Sequence, residues 1–153
     1  KPQGSDYTNV HMQFGTETEP LARSAYEAET GFSVDEVGLC IHPSIERAGA
    51  SPDGLVGNSG LVEIKCPKPA THLAYLLAGV VPSGYKNQMM WQMACTERDW
   101  CDFVSFRPDL PEHLQLFIVR FKRDSEKILA LETAVISFLS TVDAMIAQLK
   151  KVK

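Results

Sequence analysis

Residues 51–67 read SPDGLVGNSGLVEIKCP, and the interpretation of this stretch decides the fold. Two tetrapeptides within it, Ser51-Pro52-Asp53-Gly54 and Gly57-Asn58-Ser59-Gly60, have turn-forming composition. Pro fixes φ, and Gly or Asn accepts positive φ. The second tetrapeptide is the stronger signal and predicts a hairpin joining a strand at Gly54–Val56 to one at 61–65. Alternation along the second strand then sorts its side chains. Val62 and Ile64 point one way, into the core, while Glu63 and Lys65 share the opposite face. With Asp53 at the start of the partner strand, the hairpin folds its carboxylate back toward Glu63. Pro52 then fixes the backbone that presents Asp53.

Two carboxylates and an ammonium on one edge suit phosphodiester hydrolysis. Hard oxygen ligands hold Mg²⁺ or Mn²⁺, which keeps several waters and accepts phosphate oxygens. The ion lowers the pKa of a bound water and stabilises charge on the phosphate. The peptide carbonyl of Ile64, between the two side chains, is a candidate additional ligand. Lys65 beside a cation is expected to have its ammonium form disfavoured, which suits it to orient or deprotonate the attacking water. Each half of the pattern has a plainer meaning: an acid two before a lysine makes a solvated ion pair, and Pro-Asp-Gly makes a turn. Their combination across a hairpin with apolar alternation is what points to a site.

Outward from the hairpin, 18–30 reads as a helix with Thr18 as N-cap, Pro20 in its first turn and Gly31 just past its end. Leu21, Ala25 and Ala28 are its expected buried stripe. Strand character follows at 34–41 and 45–50. Helices are predicted at 70–78 and 85–95, strands at 100–107 and 114–121, and a long helix at 124–150 with apolar residues at helical spacing. This order predicts an α/β sandwich around a mixed central sheet, in one domain spanning 1–153. Along 85–95, Tyr85, Gln88 and Gln92 share one helix face, and Met90 and Met93 lie on other sides as core.

The net charge of −4 argues against a nonspecific polyanion binder, although carboxylates that hold cations count in that sum. Cys40, Cys66, Cys95 and Cys101 form no CxxC pair and no zinc spacing, so reduced thiols in a cytosolic protein are expected. His11, His42, His72 and His113 are scattered without ligand spacing. No run of about 18 apolar residues is present, so no membrane span is expected.

The chain resembles the YqaJ-type viral recombinases, the lambda-exonuclease-like family within the PD-(D/E)xK nucleases. Pro52-Asp53 matches the first half of their motif and Glu63-Ile64-Lys65 the second, with Ser51, Gly54, Leu55, Cys66 and Pro67 also in pattern. Upstream, Gly15-Thr16-Glu17-Thr18-Glu19 with Ala22 and Tyr26 is similar to the family's helical G-x-x-x-E segment. Downstream, YKNQMMWQMACTERDWCDFVSFRPD resembles its tyrosine, its glutamine-bearing helix and a strand ending in Pro-Asp. The resemblance implies a restriction-endonuclease-like α/β fold, with a mixed central β-sheet flanked by helices. It implies Asp53 and Glu63 as metal ligands assisted by the Ile64 carbonyl, Lys65 as the catalytic lysine, and Gln88 as a site residue. Glu19 would lie near a second metal, although an acid in a helix's first turn also serves the macrodipole.

One or two Mg²⁺ ions per site are implied, with Mn²⁺ as substitute. So are double-stranded DNA ends as substrate, 5′ to 3′ polarity, a homotrimeric ring and a single-strand annealing protein as partner. The setting implied is the cytoplasm of a bacterium or phage-infected host cell, with no membrane. Nothing in residues 1–12 matches the family's basic and hydroxyl-bearing segment for a 5′-phosphate. That segment is therefore expected to be absent or truncated, or the DNA end to be read differently. A restriction-type endonuclease on the same fold and an inert DNA-binding module are the rival expectations.

Overall fold

The computed structural model describes residues 10–152, with side chains from residue 14 onward. Helix α1 (Val10–Thr30) is followed by the short strands β1 (Val34–Asp35), β2 (Cys40–Ile41) and β3 (Gly49–Ala50). The hairpin β4 (Gly54–Val56) and β5 (Gly60–Lys65) comes next, then helices α2 (Pro69–Ala78) and α3 (Ser83–Thr96). Strand β6 (Trp100–Phe106), a 3-10 turn (Glu112–Leu114), strand β7 (Leu116–Lys122) and helix α4 (Ser125–Leu149) complete the chain.

The main sheet has the order β1-β4-β5-β6-β7, while β2 and β3 form a separate ribbon. Strands β5 and β6 are parallel and the other pairs antiparallel, so the sheet is mixed, as predicted. A parallel pair needs a crossover, and α2 with α3 supplies it. Side-chain parity divides the core between the two faces of the sheet. Val62, Ile64, Val104 and Phe106 pack with Ala22 and Tyr26 of α1. Leu61, Cys101 and Phe103 pack with Met89, Met90 and Met93 of α3 and Ile128 of α4. Covered on both faces, β5 is buried from Gly60 to Ile64, which is what a central parallel strand requires.

The hairpin is held at its turn. Gly57 takes φ +52°, and the Ser59 carbonyl accepts the Asp99 N–H at 2.8 Å. Arg98 Nη1 donates to the carbonyls of Gly57 at 2.7 Å and Gly60 at 2.8 Å. Trp100 lies flat over Gly60, so that a Cβ there would come within 2.1 Å of its ring.

Three expectations need correction. Helix α1 includes eight described residues before Thr18, which is buried inside it, and Pro20 is an interior residue. Its buried stripe is Thr18, Ala22 and Tyr26, whereas Leu21 is 56% exposed. Tyr26 wins the inward position because its hydroxyl donates to the buried Asp102 carboxylate at 2.8 Å, an anchor that apolarity alone does not reveal. The runs 34–41 and 45–50 do not form two strands: β1 pairs with β4 while β2 and β3 pair with each other. Finally, α4 is long and apolar enough to cross a membrane by length and composition, although no unbroken apolar run marks it. Here it is docked along the domain, with Glu132 bonded to His42 at 3.2 Å and Asp143 to Arg47 at 2.8 Å.

Candidate active site

The β4–β5 backbone ladder ends at the pair Gly54–Val62. Beyond it the Asp53 side chain takes over, its Oδ2 accepting the Ile64 N–H at 2.7 Å. A strand residue sends its N–H and C=O to the same edge. The Ile64 carbonyl therefore also faces the edge that Asp53 occupies.

Glu63 lies on the α3 face and is fully buried. Its Oε1 accepts from Gln88 Nε2 at 2.7 Å and its Oε2 from Gln92 Nε2 at 2.7 Å. Lys65, two residues on and therefore on the same face, ion-pairs with Glu63 Oε1 and lies 3.9 Å from Asp53 Oδ2. The Lys65 ammonium also stands over the Tyr85 ring, 5.5 Å from its centroid. One turn of α3 thus serves both oxygens of one carboxylate, through residues at i and i+4.

The structure brings Asp53, Glu63, Lys65 and Gln88 into one cluster. Glu19 lines the adjoining cleft of ≈ 430 Å³ with Gly15, Thr16, Ile64, Lys65 and Cys66. Its carboxylate accepts from Arg23 Nη2 at 3.1 Å, and Arg23 also pairs with Glu36. The helical pattern groups Gln92 with Gln88 on one face, and its bond to Glu63 gives it a part that the pattern does not assign. Its spacing from Gln88 was the available signal.

The charges at the cluster are unequal in comfort. The Asp53 carboxyl is pushed up to about 6, by burial first and by the neighbouring Glu63 charge second. Burial works to lower the Lys65 pKa, but the charge and hydrogen bond of Glu63, with Asp53, outweigh it and raise it. In the protein alone the ammonium form of Lys65 is thus favoured; the expectation of a disfavoured ammonium concerns a site that holds a cation. Burial and Glu19 push the Cys66 thiol up to about 11, so it stays protonated beside the site.

His42 and His72 stand apart from the cluster. His42 stacks on Trp91, and His72 bonds Ser105 Oγ and the Leu114 carbonyl, each at 2.7 Å. The side chain of His11 lies outside the described residues. Among the described residues no three His, Cys, Asp or Glu side chains converge as a preformed cation cage. All four cysteines are free.

A mixed sheet between helices, with Asp53, Glu63 and Lys65 at one strand end, defines a nuclease-type α/β fold. The chain belongs to the YqaJ-like viral recombinase domain family, whose model matches residues 1–99. Among solved structures it is similar to an alkaline exonuclease, LHK-Exo, from Laribacter hongkongensis. The identity is 51% and the TM-score 0.91, over 94% of this chain and 74% of that one. The same exonuclease in complex with dAMP gives 50% identity and a TM-score of 0.92, covering 95% and 75% of the two chains. A phage-related exonuclease from Haemophilus somnus 129PT shares the fold at 18% identity and TM-score 0.70, over 96% of this chain and 77% of that one. The uncharacterized protein R354 of Acanthamoeba polyphaga mimivirus is 29% identical over 114 residues. That match spans 66% of this chain and 21% of the viral protein's length.

Proposed function

We propose that this chain is a metal-dependent deoxyribonuclease that hydrolyses linear double-stranded DNA from its ends, 5′ to 3′, leaving 3′ single strands for phage-type recombination. The observation that carries this reading is the pairing of Asp53 and Glu63 around Lys65, beside a cleft, at the end of a β-hairpin. Kinship with a recombinase family and 51% identity to an alkaline exonuclease support it.

The donor set fits a hard divalent cation. Asp53 and Glu63 repel one another strongly enough to help lift the Asp53 pKa to about 6, a tension that a nearby cation would relieve. Asp53, Glu63 and the Ile64 carbonyl would hold one Mg²⁺, with Mn²⁺ as substitute, and Glu19, on the wall of the adjoining cleft, would approach a second ion or its waters. Such an ion supplies a water of lowered pKa and a counter-charge for the phosphate.

The chain's own residues then divide the remaining work. Lys65, on the same face as Glu63 and within reach of both carboxylates, would orient or deprotonate the attacking water. Gln88 and Gln92 hold the Glu63 carboxylate, and Tyr85 walls the site beside Lys65. The implied assembly is a homotrimeric ring working with a single-strand annealing protein, in the cytoplasm of a bacterium or infected host.

End-labelled linear duplexes, with and without 5′-phosphate, incubated beside a closed circle with Mg²⁺ test the reading. Loss of the linear DNA from its 5′ ends with the circle intact is expected. A linearised circle would instead indicate an endonuclease, and survival of all substrates an inert module.

A further inference from the structure

We propose that Gln92 is a positioning residue: it pins the inner oxygen of Glu63 so that the outer oxygen is presented to the cleft. The inference rests on the nuclease reading above and extends it to a residue that does not itself reach the cleft.

The two oxygens of Glu63 have different surroundings. Oε1 is approached by Gln88 and Lys65, and both of these side chains are partly accessible to solvent. Oε2 is bonded by Gln92 at 2.7 Å, and Gln92 is only 2% exposed. Oε1 is the oxygen paired with Lys65, a residue of the cleft wall, so a cation approaching from the cleft would meet it by displacing that partner. The bond on Oε2 lies behind it and persists.

The orientation of the Gln92 amide is determined by its neighbours. An ionised carboxylate accepts and never donates, so Nε2 faces Glu63 and the amide oxygen faces away. There, among the described residues, the hydrogen-bonding group it meets is the Cys101 thiol, with Sγ at 3.9 Å, a weak donor. The surrounding α3 residues that fill the core are Met89, Met90 and Met93. A side chain needed only for packing would be apolar like them, since a buried amide costs stability unless its hydrogen bonds are made. Among the described residues, the one strong bond that the Gln92 side chain makes is to Glu63.

The test compares the parent with Gln92→Met, which keeps the size and loses the donor, and Gln92→Asn, which keeps the amide and shortens its reach. Free Mn²⁺ is followed by electron paramagnetic resonance, thermal unfolding is recorded, and kcat and KM are measured on linear duplex. Both variants are expected to bind Mn²⁺ roughly 10-fold more weakly, the lower end for partners that orient a ligand. Each should lose kcat while KM for DNA stays near the parental value. Parental Mn²⁺ affinity in either folded variant overturns the inference, and if Gln92→Met fails to fold, Gln92→Asn decides alone. A parent that neither binds Mn²⁺ nor degrades DNA refutes the nuclease reading itself. A parent that does both, matched by its variants, refutes only the role of Gln92.

Discussion

The Asp53 carboxyl titrates near 6 because burial and Glu63 both oppose its charge. Its folded pKa lies above its unfolded one, so the folded state binds the proton more tightly. Ionisation therefore costs stability, fully above about pH 6 and not at all below the unfolded value near 4. Asp53→Asn keeps an acceptor for the Ile64 N–H and removes the charge. With EDTA present it should unfold at a higher temperature than the parent at pH 7–8, by about 2 kcal/mol of stability, and the gain should vanish below pH 4. Hydrolysis should fall to background in the same variant. Lys65→Ala should also abolish hydrolysis, but with a loss of about 1–3 kcal/mol, since it strips a charged partner from the wholly buried Glu63. Calorimetry that found both variants equal in stability to the parent would contradict this account of the charges. The identities of Asp53, Glu63 and Lys65 were legible because strand parity and one turn signal suffice to bring them together. The anchoring of Glu63 by Gln92 was not, because it depends on how deeply α3 buries that carboxylate.

At the scale of elements, β5 was readable and its neighbours only in part. Val62 is fully buried under α1, so Val62→Asp should yield insoluble or unfolded protein, checked by circular dichroism of the purified chain. Gly60 tests the opposite end of the strand. Its alanine variant drives a Cβ into the Trp100 ring and should cost about 1–3 kcal/mol in chemical denaturation. Helices α2, α3 and α4 and strands β6 and β7 fell close to their expected spans because periodicity accumulates over many residues. Strands β1, β2 and β3 have two residues each, too few for any alternation to register. Their pairing is imposed by what lies next to them in space. The same holds for α1, where the Tyr26–Asp102 bond sets the inward face across 76 positions of sequence.

For the whole molecule, the two-layer burial around a mixed sheet was foreseen from element order, whereas the surface of α4 was not. Leu129, Ile136, Phe138, Met145 and Leu149 are exposed along it. The proposed ring predicts a solution mass near three times 16.9 kDa by light scattering, and a monomer at all concentrations would count against it. The clamp that Arg98 and Ser59 form at the hairpin turn has a bearing on the site at the other end of β5. A strand has two possible phases, and a slip of one residue exchanges its faces. Out of phase, Glu63 and Lys65 would point at α1, and Val62 and Ile64 at the glutamines of α3. Arg98 and Trp100 therefore act as a timing mark, setting which half of β5 is chemistry and which half is core. Changes there would look like catalytic lesions at residues that sit at the far end of β5 from the acidic cluster.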